Sequence, residues 1–245
     1  MEVIGDGFLA HHLRTMEAAR SHVVVVAAGV STTTGLELTQ YERENALVRE
    51  TIRQCRTKGR QLVFFSTASA GMYGAEGCRG VEDDAVTPIS PFGEHKLRLE
   101  QEVRGSGVRH LVLRLGHVVG PGQRGHQLVP TLVRQLRSGR MTVYRGTRRD
   151  ILAVADFVTL VEGLLSRGVE DQVVNIGSGH DVPVDRIIDH LEERLGATAR
   201  RDYLDGARSS CTLSMDKLRR LVPAYDTLGF GPEYYRTAVD SYLEG

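Results

Sequence analysis

The sequence predicts an α/β protein built on a doubly wound parallel sheet. Segments such as 61–65 and 110–115 are almost continuously apolar, and amphipathic helical segments alternate with them. Strands that are apolar on both faces are typical of a parallel sheet covered by helices on both sides. The chain also opens with a short strand, a glycine turn and a helix. We therefore expect ligands to bind at the carboxyl ends of the strands.

The opening turn has the spacing G-x-G-x-x-A and begins a helix that we predict to run through His11 to Arg20. This spacing is typical of dinucleotide-binding turns. Gly5 would permit the tight turn, Gly7 would let the backbone approach a pyrophosphate, and Ala10 would let the helix pack closely on the strand. The same pattern also occurs in strand-to-helix turns that bind nothing, and this alternative stays open.

The next strand, at 22–28, follows the first helix directly. A dinucleotide-binding unit normally carries an Asp or Glu about 20 residues after the glycines, where it binds the adenosine ribose. Asp6 lies inside the turn and Glu17 lies on the predicted helix, so neither stands at that place. We therefore expect a sheet that is shortened in its N-terminal half, with the adenosine part of a cofactor site missing or rebuilt.

The rest of the chain continues the alternation. Helices are predicted at about 41–57, 92–104, 126–138, 155–166 and 183–195, strands at 61–65, 110–115 and near Val143, Ile151 and Val173, and helical segments from Asp216 and Pro232. We expect residues 1–122 with about 141–178 to form the nucleotide-binding core. A small substrate lobe would comprise about 123–140 with 179–245.

Composition and charge argue against nucleic-acid binding, membrane binding, a disulfide framework and a zinc site. The 245 residues are 41% hydrophobic with a formal net charge of +0, and the scattered charges form no footprint for nucleic acid or an anionic membrane. Cys55, Cys78 and Cys211 are too widely spaced for a disulfide framework or a zinc site and fit a reducing compartment. No apolar run approaches the roughly 18 to 20 residues that span a bilayer. We expect a cytoplasmic protein without a metal.

Eight features, taken in order along the chain, resemble one family. They are the glycine turn at 5–10, the strand at 22–29, Asn45, and segments 66–74, 90–96, 113–123, 149–156 and 174–179. Together they resemble the extended short-chain dehydrogenase/reductases of the nucleotide-sugar epimerase, dehydratase and ketoreductase group. The resemblance implies a Rossmann-like fold, an NAD or NADP cofactor and a nucleotide sugar or related small polar substrate. It also implies a homodimer formed through the helices at 41–57 and 92–104.

The resemblance implies a Ser-Tyr-Lys constellation, from which the chain departs at the tyrosine. Ser69 matches the hydroxyl that hydrogen-bonds the reacting sugar oxygen, and Lys96 matches the lysine that holds the nicotinamide ribose and lowers the pKa of the tyrosine. Phe92 stands at the position of the tyrosine. A phenyl ring cannot transfer a proton, so Phe92 is left as a substrate-contacting residue. A strand-end hydroxyl and a surface lysine are the structural alternatives for the other two.

Three side chains are candidates for the missing proton transfer. His95 stands where the family usually has a serine and His117 where it has an asparagine, and an imidazole titrates near neutrality. Tyr73 is a further phenol, although the tyrosine of the family at that place is mainly structural. Each of the three can also be an ordinary packed or surface residue. His117, the loop 120–123 and Arg149 match positions that contact the sugar and the diphosphate, and an arginine suits a phosphate.

The leading prediction is an atypical NAD(P)-dependent epimerase, dehydratase or ketoreductase. Two alternatives remain: a cofactor-free isomerase, lyase or cyclase with His117 or His95 as the base, and a non-catalytic nucleotide-binding or regulatory subunit. A fold alone does not imply activity. Ala70 and Gly71 stand where an acidic pair would follow Ser69, which argues against the 4,6-dehydratase branch.

Overall fold

The computed structural model describes residues 1–16, 20–30, 38–74, 78–205 and 212–245. The strands described are β1 (Glu2–Ile4), β2 (Val23–Val26), β3 (Gln61–Thr67), β4 (His110–Leu115), β5 (His117–Val119), β6 (Arg140–Tyr144), β7 (Arg148–Ala153), β8 (Gln172–Ile176), β9 (Asp181–Pro183) and β10 (Arg200–Leu204). The helices are α1 (Phe8–Leu13), α2 (Leu38–Lys58), α3 (Ala70–Tyr73), α4 (Pro91–Arg104), α5 (Leu128–Arg137), α6 (Val154–Ser166), α7 (Val184–Leu195), α8 (Asp216–Leu221) and α9 (Tyr234–Leu243), with a 3-10 turn at Pro223–Thr227.

The central sheet has five parallel strands in the order β1-β2-β3-β4-β8. This confirms the predicted doubly wound α/β fold. Strand β1 lies at the edge of the sheet beside β2, and α1 is the one helix described between these two strands. The sheet is therefore shortened on the side of β1, because no further strand pairs with β1 among the described residues.

Helices cover both faces of this sheet, because alternate residues of each strand point to opposite sides. On one face, Val24, Phe64 and Val112 pack with α2 and α4. On the other face, Val25 and Val63 join a larger apolar cluster that includes α6 and the C-terminal helices. Burial of apolar surface, at roughly 25 cal/mol per Å², is the main favourable contribution of such a core to folding.

Two small sheets complete the fold. Strands β5, β7 and β9 form one, in which β7 runs parallel to β5 and antiparallel to β9, and β6 pairs in parallel with β10 in the other. Strands β6 and β7 thus lie outside the five-stranded sheet, although they fall almost entirely in the segment 141–178 that we assigned to the core. The division into a core and a lobe stays a prediction.

The first helix is shorter than predicted. It ends at Leu13, and the Thr15 hydroxyl donates to the His12 carbonyl at 2.6 Å, a side-chain contact that competes with helix continuation. Arg20, placed on this helix in the prediction, instead forms an ion pair with Glu162 of α6. The predicted position of Glu17 lies outside the described residues.

Among the described residues, no helix is long and apolar enough to cross a membrane. The same part of the chain holds no group of three or more His, Cys, Asp or Glu side chains that could bind a metal ion. Cys55 is a buried free thiol, and Cys211 lies outside the described residues. Leu99 and Val103, apolar residues on one predicted dimer helix, are fully buried in the core of the chain itself. The homodimer stays a prediction.

Candidate functional site

A cleft of about 1060 Å³ opens at the carboxyl ends of β1 to β4. Its described walls come from the glycine turn, the ends of these strands, one face of α2, the start of α4 and the loop 124–127. This volume lies at the upper end of the roughly 300–1,000 Å³ found for small-molecule sites. The cleft also occupies the place where an open parallel sheet binds its ligands.

The glycine turn forms one end of the cleft. Gly5 has a φ of +125°, and a Cβ there would stand 2.8 Å from the Ala27 carbonyl oxygen, so only glycine fits. Gly7 precedes α1 with extended backbone and lines the cleft, and Ala10 is fully buried in the contact between helix and sheet. The turn therefore has the predicted geometry, while its binding of a pyrophosphate stays a prediction.

Arg124 reaches this turn from the loop after β5. One guanidinium nitrogen lies 3.6 Å from the point where a Cβ of Gly7 would stand and 3.8 Å from the Asp6 carboxylate. Arg124 therefore brings a positive charge to the end of the cleft where a phosphate would lie. The sequence analysis missed it, because the loop and the turn are far apart along the chain.

Two serine hydroxyls at the end of β3 have no hydrogen-bond partner among the described residues. Ser66 is 5% exposed and lines the cleft. Ser69 precedes α3; its backbone N–H donates to the Thr67 hydroxyl at 3.0 Å, but its own hydroxyl makes no capping bond. Leaving a buried hydroxyl unpaired costs free energy, so the Ser66 hydroxyl fits a polar atom of a ligand in the cleft. Ser69 lies beside the cleft rather than in its described walls. Ser66 was not predicted.

Lys96 is 3% exposed, so the surface-lysine alternative is wrong. Its Nζ donates to Glu44 Oε1 at 2.6 Å and to the Phe65 carbonyl at 3.4 Å. The rings of Phe64 and Phe92 lie 5.4 and 5.8 Å from Nζ, within range of a cation–π contact. An ammonium has three N–H donors, which leaves one for a ligand in the cleft.

Glu44 is the central side chain that the sequence analysis missed. Its carboxylate accepts hydrogen bonds from the Val30 backbone N–H at 3.1 Å, from His95 Nε2 at 2.9 Å and from Lys96. Burial alone would raise the pKa of Glu44, but the ammonium and these hydrogen bonds outweigh burial and lower the pKa to about 2. The usable signal was a charged residue on the buried stripe of α2, one turn before Val48.

His95 lies behind Glu44 rather than in the wall of the cleft. An Arg98 nitrogen donates to His95 Nδ1 at 2.9 Å, and a guanidinium can only donate, so the ring proton lies on Nε2 and points to Glu44. The ring also packs on Tyr41, with 4.4 Å between centroids. With both nitrogens engaged, this geometry gives His95 the role of orienting Glu44 and offers it no route to a substrate.

Tyr73 lies in the protein core, outside the cleft. Its hydroxyl donates to Asn175 Oδ1 at 3.0 Å and accepts from Arg114 at 2.6 Å, and Arg114 forms a buried ion pair with Glu100 at 2.6 Å. Burial raises the pKa of Tyr73 to about 12, although Arg114 opposes this rise. The surroundings of Tyr73 fit the structural role that the resemblance gives this tyrosine.

His117 and Arg149 lie together on the neighbouring strands β5 and β7, beside the cleft rather than in its described walls. Burial and the positive charge of Arg149 lower the pKa of His117 to about 3, against a hydrogen bond to the Asp150 backbone. The imidazole is therefore neutral at neutral pH and is a weak base. One Arg149 guanidinium nitrogen donates to the Arg148 carbonyl at 2.7 Å.

Comparison with known proteins identifies the family. The sequence model of the NAD dependent epimerase/dehydratase family matches residues 11–177. The chain belongs to this family. The match begins directly after Ala10, so the glycine turn lies outside it, while Ser69, Phe92 and Lys96 lie inside. The predicted resemblance to extended short-chain dehydrogenase/reductases is thereby confirmed.

Curated relatives carry names from nucleotide-sugar metabolism. YtcB of Bacillus subtilis, named as an uncharacterised UDP-glucose epimerase, is 24% identical over 79% of this chain and 65% of its own length. A UDP-glucose 4-epimerase of Azospirillum brasilense is 27% identical over 78% of this chain and 64% of its own length. The chain thus spans slightly less than two thirds of the length of these relatives.

Solved structures share the fold. MoeE5 in complex with UDP-glucuronic acid and NAD superposes with a TM-score of 0.74 and 25% identity, covering 91% of this chain and 78% of MoeE5. RMD from Pseudomonas aeruginosa, complexed with NADPH, gives a TM-score of 0.76 with 20% identity and covers 99% of this chain and 97% of RMD. This family member therefore has a Rossmann-like fold.

Proposed function

We propose that the protein is an atypical NAD(P)-dependent epimerase, dehydratase or ketoreductase acting on a nucleotide sugar or a related small polar substrate. The observation that supports this most is the cleft itself. It brings together the glycine turn, the unpartnered Ser66 hydroxyl and the buried Lys96 at the carboxyl ends of the strands. The names of the curated relatives support a nucleotide-sugar substrate.

The described residues fit the nicotinamide half of an NAD(P) cofactor better than its adenosine half. The remaining N–H of Lys96 would hold the nicotinamide ribose, and Gly7 with Arg124 would hold the pyrophosphate. For the adenosine ribose, the described residues between α1 and β2 supply no acidic side chain. A bound nicotinamide would supply hydride transfer.

The side chains of the protein would orient the substrate in this cleft. The Ser69 hydroxyl, buried and without a partner, would donate to the reacting oxygen of the sugar. Phe92 would form an apolar wall that carries no proton, so proton transfer would pass through water or through a group of the ligand. Arg149 and His117 would contact the sugar or its diphosphate at the neighbouring strand ends.

Two observations favour a nucleotide-binding subunit without turnover as the second candidate. Phe92 removes the phenol of the family, and Glu44 neutralises the charge of Lys96. The cofactor-free enzyme has less support, because the low pKa of His117 and the two engaged nitrogens of His95 leave it without a competent base.

Turnover by the purified protein distinguishes these functions. We would incubate it with UDP-glucose, UDP-glucuronic acid and dTDP-glucose, with and without NAD(P), and follow the products by mass spectrometry and NMR. Ser69→Ala should lower turnover by about 100-fold, the usual effect of losing a hydrogen bond to a developing charge. Ser138→Ala, an exposed serine at the end of α5, is the matched control.

The outcomes separate the candidates. Equal loss of turnover in both serine variants, or none in Ser69→Ala, would contradict the role of Ser69. Binding of cofactor or sugar nucleotide without any product would favour the regulatory subunit. Absence of both binding and turnover would reject both candidates.

A further inference from the structure

We propose that Glu44 has replaced a phenol as the partner of Lys96 and holds the positive charge of this lysine in a closed ion pair. The inference rests on the proposed function in one respect, which is that Lys96 belongs to the ligand-binding cleft. It goes further by naming Glu44 as a positioning residue. Glu44 then determines how strongly the positive charge of Lys96 acts on any group that enters the cleft.

A buried ammonium needs a counter-charge. Lys96 is 3% exposed and Glu44 is 2% exposed, so both are removed from water. Removing an ion from water is unfavourable, and only close pairing and further hydrogen bonds offset this cost. The 2.6 Å contact provides the pairing. Since Phe92 offers only a ring 5.8 Å away, the carboxylate is the one anionic partner that Lys96 has among the described residues.

The backbone at Gly29 packs closely against this pair. A Cβ at Gly29 would stand 2.5 Å from Glu44 Oε1 and 2.9 Å from Lys96 Nζ, so any larger residue would displace both ends. The next backbone N–H, that of Val30, donates to the other carboxylate oxygen. The segment after β2 therefore fixes Glu44 against Lys96.

His95 and Arg98 hold the carboxylate in place on the side away from the cleft. His95 donates its Nε2 proton to Glu44, and Arg98 donates to the other nitrogen of the same ring. The Glu44 carboxylate therefore accepts hydrogen bonds from three donors: the Val30 N–H, His95 Nε2 and the Lys96 ammonium. Such a site favours the ionised carboxylate over the acid.

The pair cancels most of the charge that a group at position 92 would experience. Coulomb energy falls with distance, so an ammonium several ångströms from a phenol stabilises the phenolate, while a carboxylate in contact with that ammonium opposes it. The other charged or titratable side chains described in the cleft wall are Asp6, Arg43, Glu50, Arg124 and His126. Arg43 and Glu50 lie on α2 with Glu44, and the hydrogen-bond partners of Nζ are Glu44 and the Phe65 carbonyl.

The test introduces a phenol and measures its ionisation in the absence of any ligand. We would titrate Phe92→Tyr by near-ultraviolet absorbance and subtract the unmodified protein, whose eight tyrosines form the background. The double variant Phe92→Tyr with Glu44→Gln removes the carboxylate charge. Phe92→Tyr with Glu50→Gln is the matched control, because Glu50 lies on the same helix and lines the same cleft.

We expect the introduced phenol to titrate near the ordinary value of about 10 in the single variant and in the control. Removing the Glu44 charge should increase its ionisation constant at least about tenfold, within the range produced by a nearby opposite charge. If Glu44→Gln does not fold, Glu44→Asp is used, since it withdraws the carboxylate from Nζ and should shift the phenol in the same direction.

Two results would overturn the inference. A phenol that already titrates well below its ordinary value in the single variant would show that the charge of Lys96 is not held by Glu44. Equal ionisation with and without the Glu44 charge would show that another group holds it. Because no ligand is present, either result leaves the proposed cofactor binding to be decided by its own measurement.

Discussion

At the scale of single residues, two buried carboxylates decide how the site and its support are organised. Glu44 pairs with Lys96 in the cleft wall, and Glu100 pairs with Arg114 beneath it. Arg114 in turn donates to Tyr73, whose hydroxyl donates to Asn175. The second network connects α3, α4, β4 and β8, which carry or adjoin the residues of the cleft.

Breaking the lower pair should destabilise the whole protein. Removing one member of a buried ion pair leaves an uncompensated charge, which typically costs about 3–5 kcal/mol. We expect Glu100→Ala to lower the free energy of unfolding by that amount in urea denaturation. Glu102→Ala is the control on the same helix, because its pair with Arg49 is exposed to solvent and should contribute little to stability. Equal losses would contradict the account of the network.

His117 should make stability depend on pH. Its pKa is lowered from 6.5 to about 3 in the folded protein, so the folded state binds fewer protons than the unfolded state. The stability associated with neutral His117 is present above pH 6.5 and is lost as the pH falls toward 3. Asp150, with a pKa raised to about 6 by burial, acts in the opposite direction over part of this range.

The variant His117→Asn isolates the histidine contribution. Between pH 7.5 and pH 5, we expect the unmodified protein to lose about 2 kcal/mol of unfolding free energy relative to the variant, from a shift of 1.36 kcal/mol per pKa unit. Denaturant titrations of both proteins at the two pH values measure this difference. Parallel pH profiles would show that the imidazole is not held neutral by its surroundings.

The positions of the candidate site differ in how far the sequence could predict them. Ser69, Phe92 and Lys96 stand in short segments that resemble the family, so their places could be predicted. Glu44 and Ser66 could not, because the importance of each depends on what the fold brings near it. A carboxylate on a helix becomes a partner of Lys96 only when α2 and α4 pack on the same face of the sheet.

At the scale of elements, long segments were predicted well and short ones were not. The bounds of helix α4 and strand β4 fall within one residue of the predicted ones. The apolar residues that each of them buries form a clear pattern in the sequence. Strands β5 and β9 have three residues each, and so short a segment carries no detectable period. Their places depend on pairing with β7, which is a property of the tertiary structure.

The glycine turn allows a test at this scale. Gly5→Ala would combine a positive φ with a Cβ 2.8 Å from backbone, whereas Gly59→Ala would face a positive φ of +60° with nothing within 4 Å. A strained φ costs of order 1–3 kcal/mol, so we expect the Gly59 variant to lose roughly that and the Gly5 variant to lose more. Thermal unfolding measures both. Equal losses would mean that β1 does not approach β2 as closely as described.

At the scale of the whole molecule, the shortened sheet bears on which part of the proposed cofactor the cleft would hold. Strand β1 lies at the edge of the sheet. The described residues between α1 and β2 include no acidic side chain that could bind the adenosine ribose. The shortened sheet could be predicted from the spacing of the first two apolar segments. The size of the remaining cleft could not, because it depends on α2 and on the loop 124–127.

This arrangement predicts that the nicotinamide half contributes more to binding than the adenosine half. Calorimetry with nicotinamide mononucleotide and with ADP compares the two halves on the unmodified protein. We expect the mononucleotide to bind less than about tenfold more weakly than the best dinucleotide, a difference of about 1.4 kcal/mol. Tighter binding of ADP than of the mononucleotide would reverse the assignment of the two ends of the cleft.

The most direct test of the central claim is calorimetric titration of the purified protein with NAD, NADH, NADP and NADPH. The account predicts that at least one of them binds with a micromolar dissociation constant, equivalent to about −8 kcal/mol. Weaker binding of that dinucleotide by Arg124→Ala, with Arg137→Ala as an exposed control, would locate the phosphates at the glycine turn. Absence of detectable binding of all four would contradict the claim that this cleft is a nicotinamide cofactor site.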